Sequence, residues 1–146
     1  MGIRRKSREL VVQTIYALSY LYIDGFISHH DYIHKYKEIL DDLSVENEID
    51  FTNSIYKFAE KILQGLLPRF DSLDKIINKH IEEYDPEKIG LLEYIILRLA
   101  VFEMCYNDTP APVIINEAVE LCKKYCAEKS PALINAVLDK IKEKEL

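Results

Sequence analysis

Residues 89–106 read IGLLEYIILRLAVFEMCY and form the longest predominantly apolar run of the chain. A helix over this run is apolar nearly all round, which is typical of the central buried helix of a bundle. Its charged residues, Glu93, Arg98 and Glu103, are spaced by five positions, so successive side chains point about 140° apart. Because an unpaired buried charge is very costly, we expect at least one of them to be paired. Internal pairing suits Arg98, and a surface contact suits Glu93.

Helical patterns continue outward from this run in both directions. Apolar residues recur at helical spacing, which predicts helices over about 7–22, 28–42, 49–67, 72–82, 85–106, 112–125 and from 130 onward. The first predicted buried stripe is Val11, Ile15, Leu18 and Tyr22, and the third is Phe51, Ile55, Phe58, Ile62 and Leu66. Breaks are expected at Asp24-Gly25, at Gly65 and Pro68, at Asp85-Pro86 as a helix start, and at Ser130-Pro131. The sequence therefore predicts an all-α bundle of about seven helices.

The bulk composition limits the class of protein. The 146 residues favour one domain, 1–146, which a split near Pro68 divides into helical subdomains of about 1–68 and 69–146. The run from Leu91 to Tyr106 is too short and too charged to cross a bilayer, and no secretory signal follows the basic start. Three cysteines without a CxxC pair fit reduced thiols in a cytoplasmic protein.

The N-terminus is strongly basic in a chain whose net charge is −6. Arg4, Arg5, Lys6 and Arg8 crowd into the first eight residues. Positive charge at a helix N-terminus opposes the helix dipole by about 0.3–1 kcal/mol per charge, so stability alone favours acidic residues there. Two interpretations remain open, a phosphate-binding arm and a solubilising terminus.

Other candidate sites are weaker. His30 and His34 have a spacing that can bind metal, but no third ligand is placed, so a solvated face containing His29 as well is the simpler interpretation. Cys105, Cys122 and Cys126 are best explained as small buried hydrophobic residues. No phosphate loop or nucleophile motif occurs. The sequence therefore predicts no enzyme activity, no cofactor and no metal site.

Three segments together resemble the NusB family of transcription antitermination factors. They are RRKSRELVVQTIY near the start, ILRLAVFEM in the apolar run, and PAPVIINEAVELCKKYCAEKSPALINAVLDK towards the end. The resemblance covers nearly the whole chain and is strongest from Ile89 to Lys140. It implies a non-enzymatic, all-α protein of two helical subdomains. Such proteins pair with NusE, a ribosomal small-subunit protein, bind the single-stranded boxA element of leader RNA, and join the elongating RNA polymerase complex.

The resemblance also assigns candidate site residues. The basic cluster matches the family's arginine-rich RNA-binding start, and Gln13 and Tyr16 match positions near the RNA path. Tyr16 offers a ring for base stacking. Glu93 falls on the family's partner-facing acidic position. Further RNA-contacting residues are expected near the last two helices, in or beside the matching motif: Lys123, Lys124, Tyr125, Lys129, Ser130, Asn135 and Lys140.

The chain departs from the family pattern at several positions. Tyr125-Cys126 replaces a frequent Phe-Gly, so the turn after the sixth helix is expected to differ or to be strained. Leu133 replaces a frequent aromatic residue, and Ala136 replaces a glycine with a better helix former. Two other functions stay open at this point, a helical protein-interaction module without RNA binding and a domain related to ribosomal RNA methyltransferases. A homodimer is also left open.

Overall fold

The computed structural model describes residues 2–23, 31–84 and 89–146, and within these ranges it is all helical. The helices are α1 (Ile3–Ile23), α2 (Tyr32–Glu46), α3 (Ser54–Leu66), α4 (Phe70–Ile81), α5 (Leu91–Tyr106), α6 (Ala111–Tyr125) and α7 (Ser130–Glu145). A short 3₁₀ turn, Leu67–Arg69, follows α3. The predicted all-α fold class is confirmed. The chain divides into two compact units, Met1–Pro68 and Arg69–Leu146; that they make up a single domain stays a prediction.

The N-terminal unit is built by α1, which packs against both α2 and α3. Its inner face follows the predicted stripe, since Val11, Ile15 and Leu18 are fully buried. The side chain of Tyr22 lies outside the described part. A hydrogen bond also joins α1 to α3, because the hydroxyl of Ser7 donates to the carbonyl of Ile55 at 2.9 Å. Burial of this stripe is what sets the direction in which the other faces of α1 point.

The connection between α2 and α3 has a well-defined backbone. Asn47 ends α2, the N–H of Glu48 donates to the carbonyl of Val45, and that of Ile49 donates to the carbonyl of Ser44 at 2.7 Å. This is the Schellman pattern of helix ends. Glu48 has φ of 58°, the left-handed conformation that glycine normally supplies at this position. The side-chain oxygen of Asn53 then accepts from the N–H of Ile55 and starts α3.

The C-terminal unit is organised around α5, which packs against α4, α6 and α7. Every residue from Ile95 to Glu103 is buried, which confirms the predicted central helix. The expected internal partner of Arg98 is Asp74 in α4, with two hydrogen bonds of 2.8 Å. Glu103 is 1% exposed and also interacts within the chain.

Several local predictions differ from the structure. Phe51 is 45% exposed and precedes α3, so its place in the buried stripe was wrong, because the helix begins only after the Asn53 cap. By contrast, Gly65 and Pro68 do mark the end of α3, which ends at Leu66 and is followed by the 3₁₀ turn Leu67–Arg69. The predicted breaks at Asp24-Gly25 and Asp85-Pro86 lie outside the described residues. Within them α5 begins at Leu91 after Gly90.

Candidate nucleic-acid interface

The basic cluster at the N-terminus lies on α1 itself. The helix begins at Ile3, four residues before the predicted start at Ser7, so these side chains are fixed in direction by a helix. Arg4 and Lys6 are exposed and Arg5 is half-buried. The first turn contains no acidic residue, so this helix end keeps its full positive potential. That arrangement attracts anions.

Arg4 is held in place by an aromatic ring. Its guanidinium carbon lies 4.0 Å from the ring centroid of Phe58 in α3, within the range of cation–π attraction. The stacking restricts the long side chain without neutralising it. Arg4 therefore presents a fixed positive charge at the surface of the N-terminal unit.

Arg8 does not share this exposure. It is 5% exposed, because it points within about 20° of the buried Ile15 on α1. It also interacts within the chain. Arg8 is thus the buried member of the basic cluster, and its contact with RNA stays a prediction.

A polar and aromatic stripe continues the exposed side of α1. Gln13 is half-buried, whereas Tyr16 is 44% and Tyr20 is 59% exposed. Lys6, Gln13 and Tyr20 are seven residues apart, so each points within about 20° of the previous one. We call Lys6, Gln13, Tyr16 and Tyr20 the α1 stripe. Sequence reasoning missed Tyr20, although its spacing of four residues from Tyr16 was the available signal.

The C-terminal unit carries a second group of the predicted residues around the end of α6. Lys123 and Lys124 are exposed in the last turn of α6. A positive charge at this end of a helix interacts favourably with the helix dipole. Lys123 contacts Glu120 at 3.2 Å, and the ammonium of Lys124 lies 5.5 Å from the ring of the half-buried Tyr125. Both exposed lysines therefore also have a neighbouring side chain within α6.

The remaining predicted residues lie at or on α7. Lys129 is exposed and directly precedes the helix, and the adjacent Ser130 is buried. Asn135 is exposed, with its amide 3.5 Å from Asp139. Lys140 donates to Glu83 at 2.6 Å. This bond raises the pKa of Lys140 and lowers that of Glu83, so Lys140 has an ion-pair partner within its own unit.

The turn after α6 is not strained. Cys126 has φ of −114° and ψ of 176°, an extended conformation open to any residue. The turn was expected either to differ from a left-handed helix end or to be strained. It differs, and it carries no strain. Leu133 is half-buried on α7.

Glu93 has contacts inside its own unit. It is half-buried in the first turn of α5 and accepts a hydrogen bond of 3.2 Å from the hydroxyl of Ser130 at the start of α7. Its carboxylate also lies close over Gly90, where an added Cβ would meet an oxygen of Glu93 at 3.3 Å. Its partner-facing role stays a prediction.

The three cysteines differ in exposure, and of His29, His30 and His34 only His34 lies in the described residues. Cys122 is buried, Cys126 is half-buried and Cys105 is exposed, so the expectation of a buried residue is wrong for Cys105. His34 is exposed, whereas His29 and His30 lie outside the described residues. Over residues 2–23, 31–84 and 89–146, the structure contains no cluster of three metal-ligating side chains.

No helix in the described part of the chain is both long and apolar enough to cross a membrane. The most apolar helix, α5, contains charged residues and is 16 residues long. A membrane span needs about 20 predominantly apolar residues, so α5 does not qualify.

Comparison with known proteins identifies the class. A model of the NusB family matches residues 5–143. The transcription antitermination protein NusB of a Nitratiruptor species is 37% identical over 141 residues, covering 97% of this chain and 92% of that protein. The chain therefore belongs to the NusB family, which confirms the resemblance and the class of transcription antitermination factor.

Solved structures agree on the fold. T. maritima NusB matches with a TM-score of 0.76 at 22% identity, covering 97% of this chain and 91% of that chain. A chain in a crystal structure of antitermination factors NusB and NusE in complex with dsRNA matches with a TM-score of 0.77 at 24% identity, covering 98% of both chains. The helical architecture of this chain is thus that of NusB proteins.

Proposed function

We propose that this chain acts in transcription antitermination by binding boxA RNA together with NusE. The observation that carries the proposal is the exposed surface of α1, where Arg4 is stacked on Phe58 at 4.0 Å and the α1 stripe follows. The charges contact phosphates, and the two tyrosine rings stack on unpaired bases. The crystal structure of NusB and NusE in complex with dsRNA supports the choice of both partners.

Binding by the isolated chain is expected to be weak. The net charge is −6, and exposed charges act over only about 10 Å at ordinary salt, so attraction is confined to the basic end. NusE supplies additional positive surface and raises the affinity. We propose that Glu93 faces NusE and that further RNA contacts on the C-terminal unit come from Lys123, Lys124, Tyr125, Lys129, Asn135 and Lys140.

The proposal places the chain in the elongating RNA polymerase complex, in the cytoplasm and without catalysis of its own. RNA binding and partner binding are enough for this role, since a factor that holds leader RNA near the polymerase needs no reaction step. Self-association to a homodimer would compete with this assembly if it used the same surface.

The test is fluorescence anisotropy of a labelled boxA RNA compared with a scrambled RNA. Each is titrated with the protein alone, with NusE, and with the Arg4→Ala/Arg5→Ala variant. We expect boxA-selective binding that NusE tightens and the double substitution weakens. Absence of selectivity in all arms would reject the proposal and leave a helical protein-interaction module.

A further inference from the structure

A cavity of about 310 Å³ lies where α1 passes the connection between α2 and α3. Lys6 and Gln13 of the α1 stripe line one side, and Asn47 and Glu48 line the other. The volume is at the lower end of the range of about 300–1,000 Å³ that is typical of small-molecule pockets. The cavity therefore opens directly beside the surface proposed to carry RNA.

The lining combines an apolar floor with a polar rim. Leu10 is 2% exposed, and Ile49 and Ile55 are half-buried; all three line the cavity. A nucleobase has the matching chemistry, because its faces are apolar and its edges carry hydrogen-bonding groups. Bases that leave the stack are commonly held by such faces and read along their edges.

The polar rim is held in place by the helix ends. The amide nitrogen of Asn47 donates to the carbonyl of Leu43 at 2.7 Å, which leaves its amide oxygen available as an acceptor. Glu48 is held at φ of 58° by the hydrogen bonds that end α2. Asn47 therefore offers an acceptor on a side chain hydrogen-bonded to α2, and Glu48 offers a carboxylate from a backbone position that these hydrogen bonds hold.

The charge of the rim selects the kind of ligand. Glu48 and Glu9 both line the cavity, and their carboxylates repel a phosphate. A carboxylate accepts hydrogen bonds and does not donate them, so it favours a base edge that presents N–H donors. Guanine fits best, because its Watson–Crick edge presents adjacent ring N–H and amino donors.

We propose that this cavity takes up one unstacked guanine of the bound RNA, with Glu48 accepting from its Watson–Crick edge and Lys6 contacting the neighbouring phosphate. The inference rests on the proposed function, since it needs RNA along α1. It adds a base-selective contact to a surface otherwise built for phosphates and stacking.

The test replaces each guanine of a boxA-containing RNA in turn by inosine, which lacks the amino group. Affinities are measured for the wild type, for Glu48→Gln and for Glu38→Gln, in the presence of NusE. Glu38 is exposed on α2 and does not line the cavity, so its substitution removes the same charge elsewhere. Unfolding midpoints are measured to check that both variants fold as the wild type does.

We expect one inosine position to weaken wild-type and Glu38→Gln binding about tenfold, and to make little difference to Glu48→Gln. If no position responds, or if both variants respond alike, the cavity assignment is overturned while RNA binding by α1 stands. Failure of the wild type to bind RNA at all overturns both proposals.

Discussion

The guanidinium of Arg98 donates from Nε and Nη2 to the two carboxylate oxygens of Asp74, with both distances at 2.8 Å. The same guanidinium lies 4.1 Å from the ring centroid of Phe70 and 4.8 Å from that of Tyr94. Two-pronged hydrogen bonding and aromatic faces together replace the water that the charge loses on burial. This is how the most apolar helix of the chain keeps a positive charge and is joined to α4.

Substitution of Arg98 tests this arrangement. Arg98→Ala leaves Asp74 without its partner, and we expect a loss of about 3 kcal/mol in the free energy of unfolding, at the lower end for buried pairs because Asp74 is partly exposed. Arg98→Lys keeps the charge but not the paired geometry, and we expect a smaller loss of about 1–2 kcal/mol. Chemical denaturation of each variant gives these values.

Lys75→Ala is the matched control for Arg98, since Lys75 is an exposed cation on α4. Its removal is expected to change the free energy of unfolding by less than about 0.5 kcal/mol. Equal effects of Arg98→Ala and Lys75→Ala would show that the pair contributes nothing.

Glu48 offers a stabilising substitution. Its φ of 58° costs a residue with a side chain about 1 kcal/mol relative to glycine. Glu48→Gly is expected to raise the free energy of unfolding by up to about 1 kcal/mol, the greater freedom of glycine in the unfolded chain offsetting part of it. Glu46→Gly, within α2, is expected to lower it by a similar amount, and a loss in both variants would contradict the assignment.

A carboxylate near the end of α7 pairs with two side chains of α4, and the strength of this contact depends on pH. Glu145 lies 2.7 Å from Nε2 of His80 and 3.2 Å from Nζ of Lys79. The hydrogen bond to His80, followed by that to Lys79, lowers the pKa of Glu145. A carboxyl with a lowered folded-state pKa stabilises the fold above its unfolded pKa of about 4.3, and this contribution is lost as the pH falls through the folded-state value.

We therefore expect Glu145→Gln to lower the melting temperature at pH 7, and the difference from the wild type to disappear below about pH 4. Glu143→Gln is the control, because Glu143 is exposed on the same helix and its contact with Lys144 is long, at 4.0 Å. A difference between wild type and Glu145→Gln that stays constant from pH 7 to about pH 3 would contradict this account.

The two exposed tyrosines of the α1 stripe are expected to act on RNA and not on stability. Tyr16→Leu and Tyr20→Leu keep an apolar side chain but remove the ring, so each should weaken RNA binding by about 1–3 kcal/mol per stacked base. Their unfolding midpoints should stay close to that of the wild type. Ile33→Ala, at another exposed apolar position, should leave RNA affinity unchanged; a Tyr20→Leu variant with wild-type affinity would remove Tyr20 from the RNA path.

The helical fold was predictable because its signal is local. The spacing of Val11, Ile15 and Leu18 identifies the buried face of α1, and the apolar run identifies α5. Asp74 could not be assigned to Arg98, because that pairing depends on how two helices pack. The burial of Arg8 does not follow from its place in a basic run; it follows from its direction on α1, only about 20° from Ile15.

The helix ends show a second limit of sequence reasoning. A left-handed helix end is normally occupied by glycine. Glu48 adopts this conformation although it is not glycine, so the sequence gives no signal for it. Conversely, Cys126, for which the family resemblance made a left-handed helix end one expectation, is extended. Hydrogen bonds to the preceding turn, and not the residue type alone, decide these positions.

The salt dependence of RNA binding tests the central claim most directly. The affinity of boxA RNA, with NusE present, is measured against salt concentration for the wild type, for Arg4→Ala/Arg5→Ala, and for Lys35→Ala/Lys75→Ala as a charge-matched control. Each phosphate contact on a single strand contributes about 0.7 to the slope of log K against log salt. We predict that the arginine variant loses up to about 1.4 of slope while the control keeps the wild-type value; the same slope in all three proteins would contradict RNA binding by the basic end of α1.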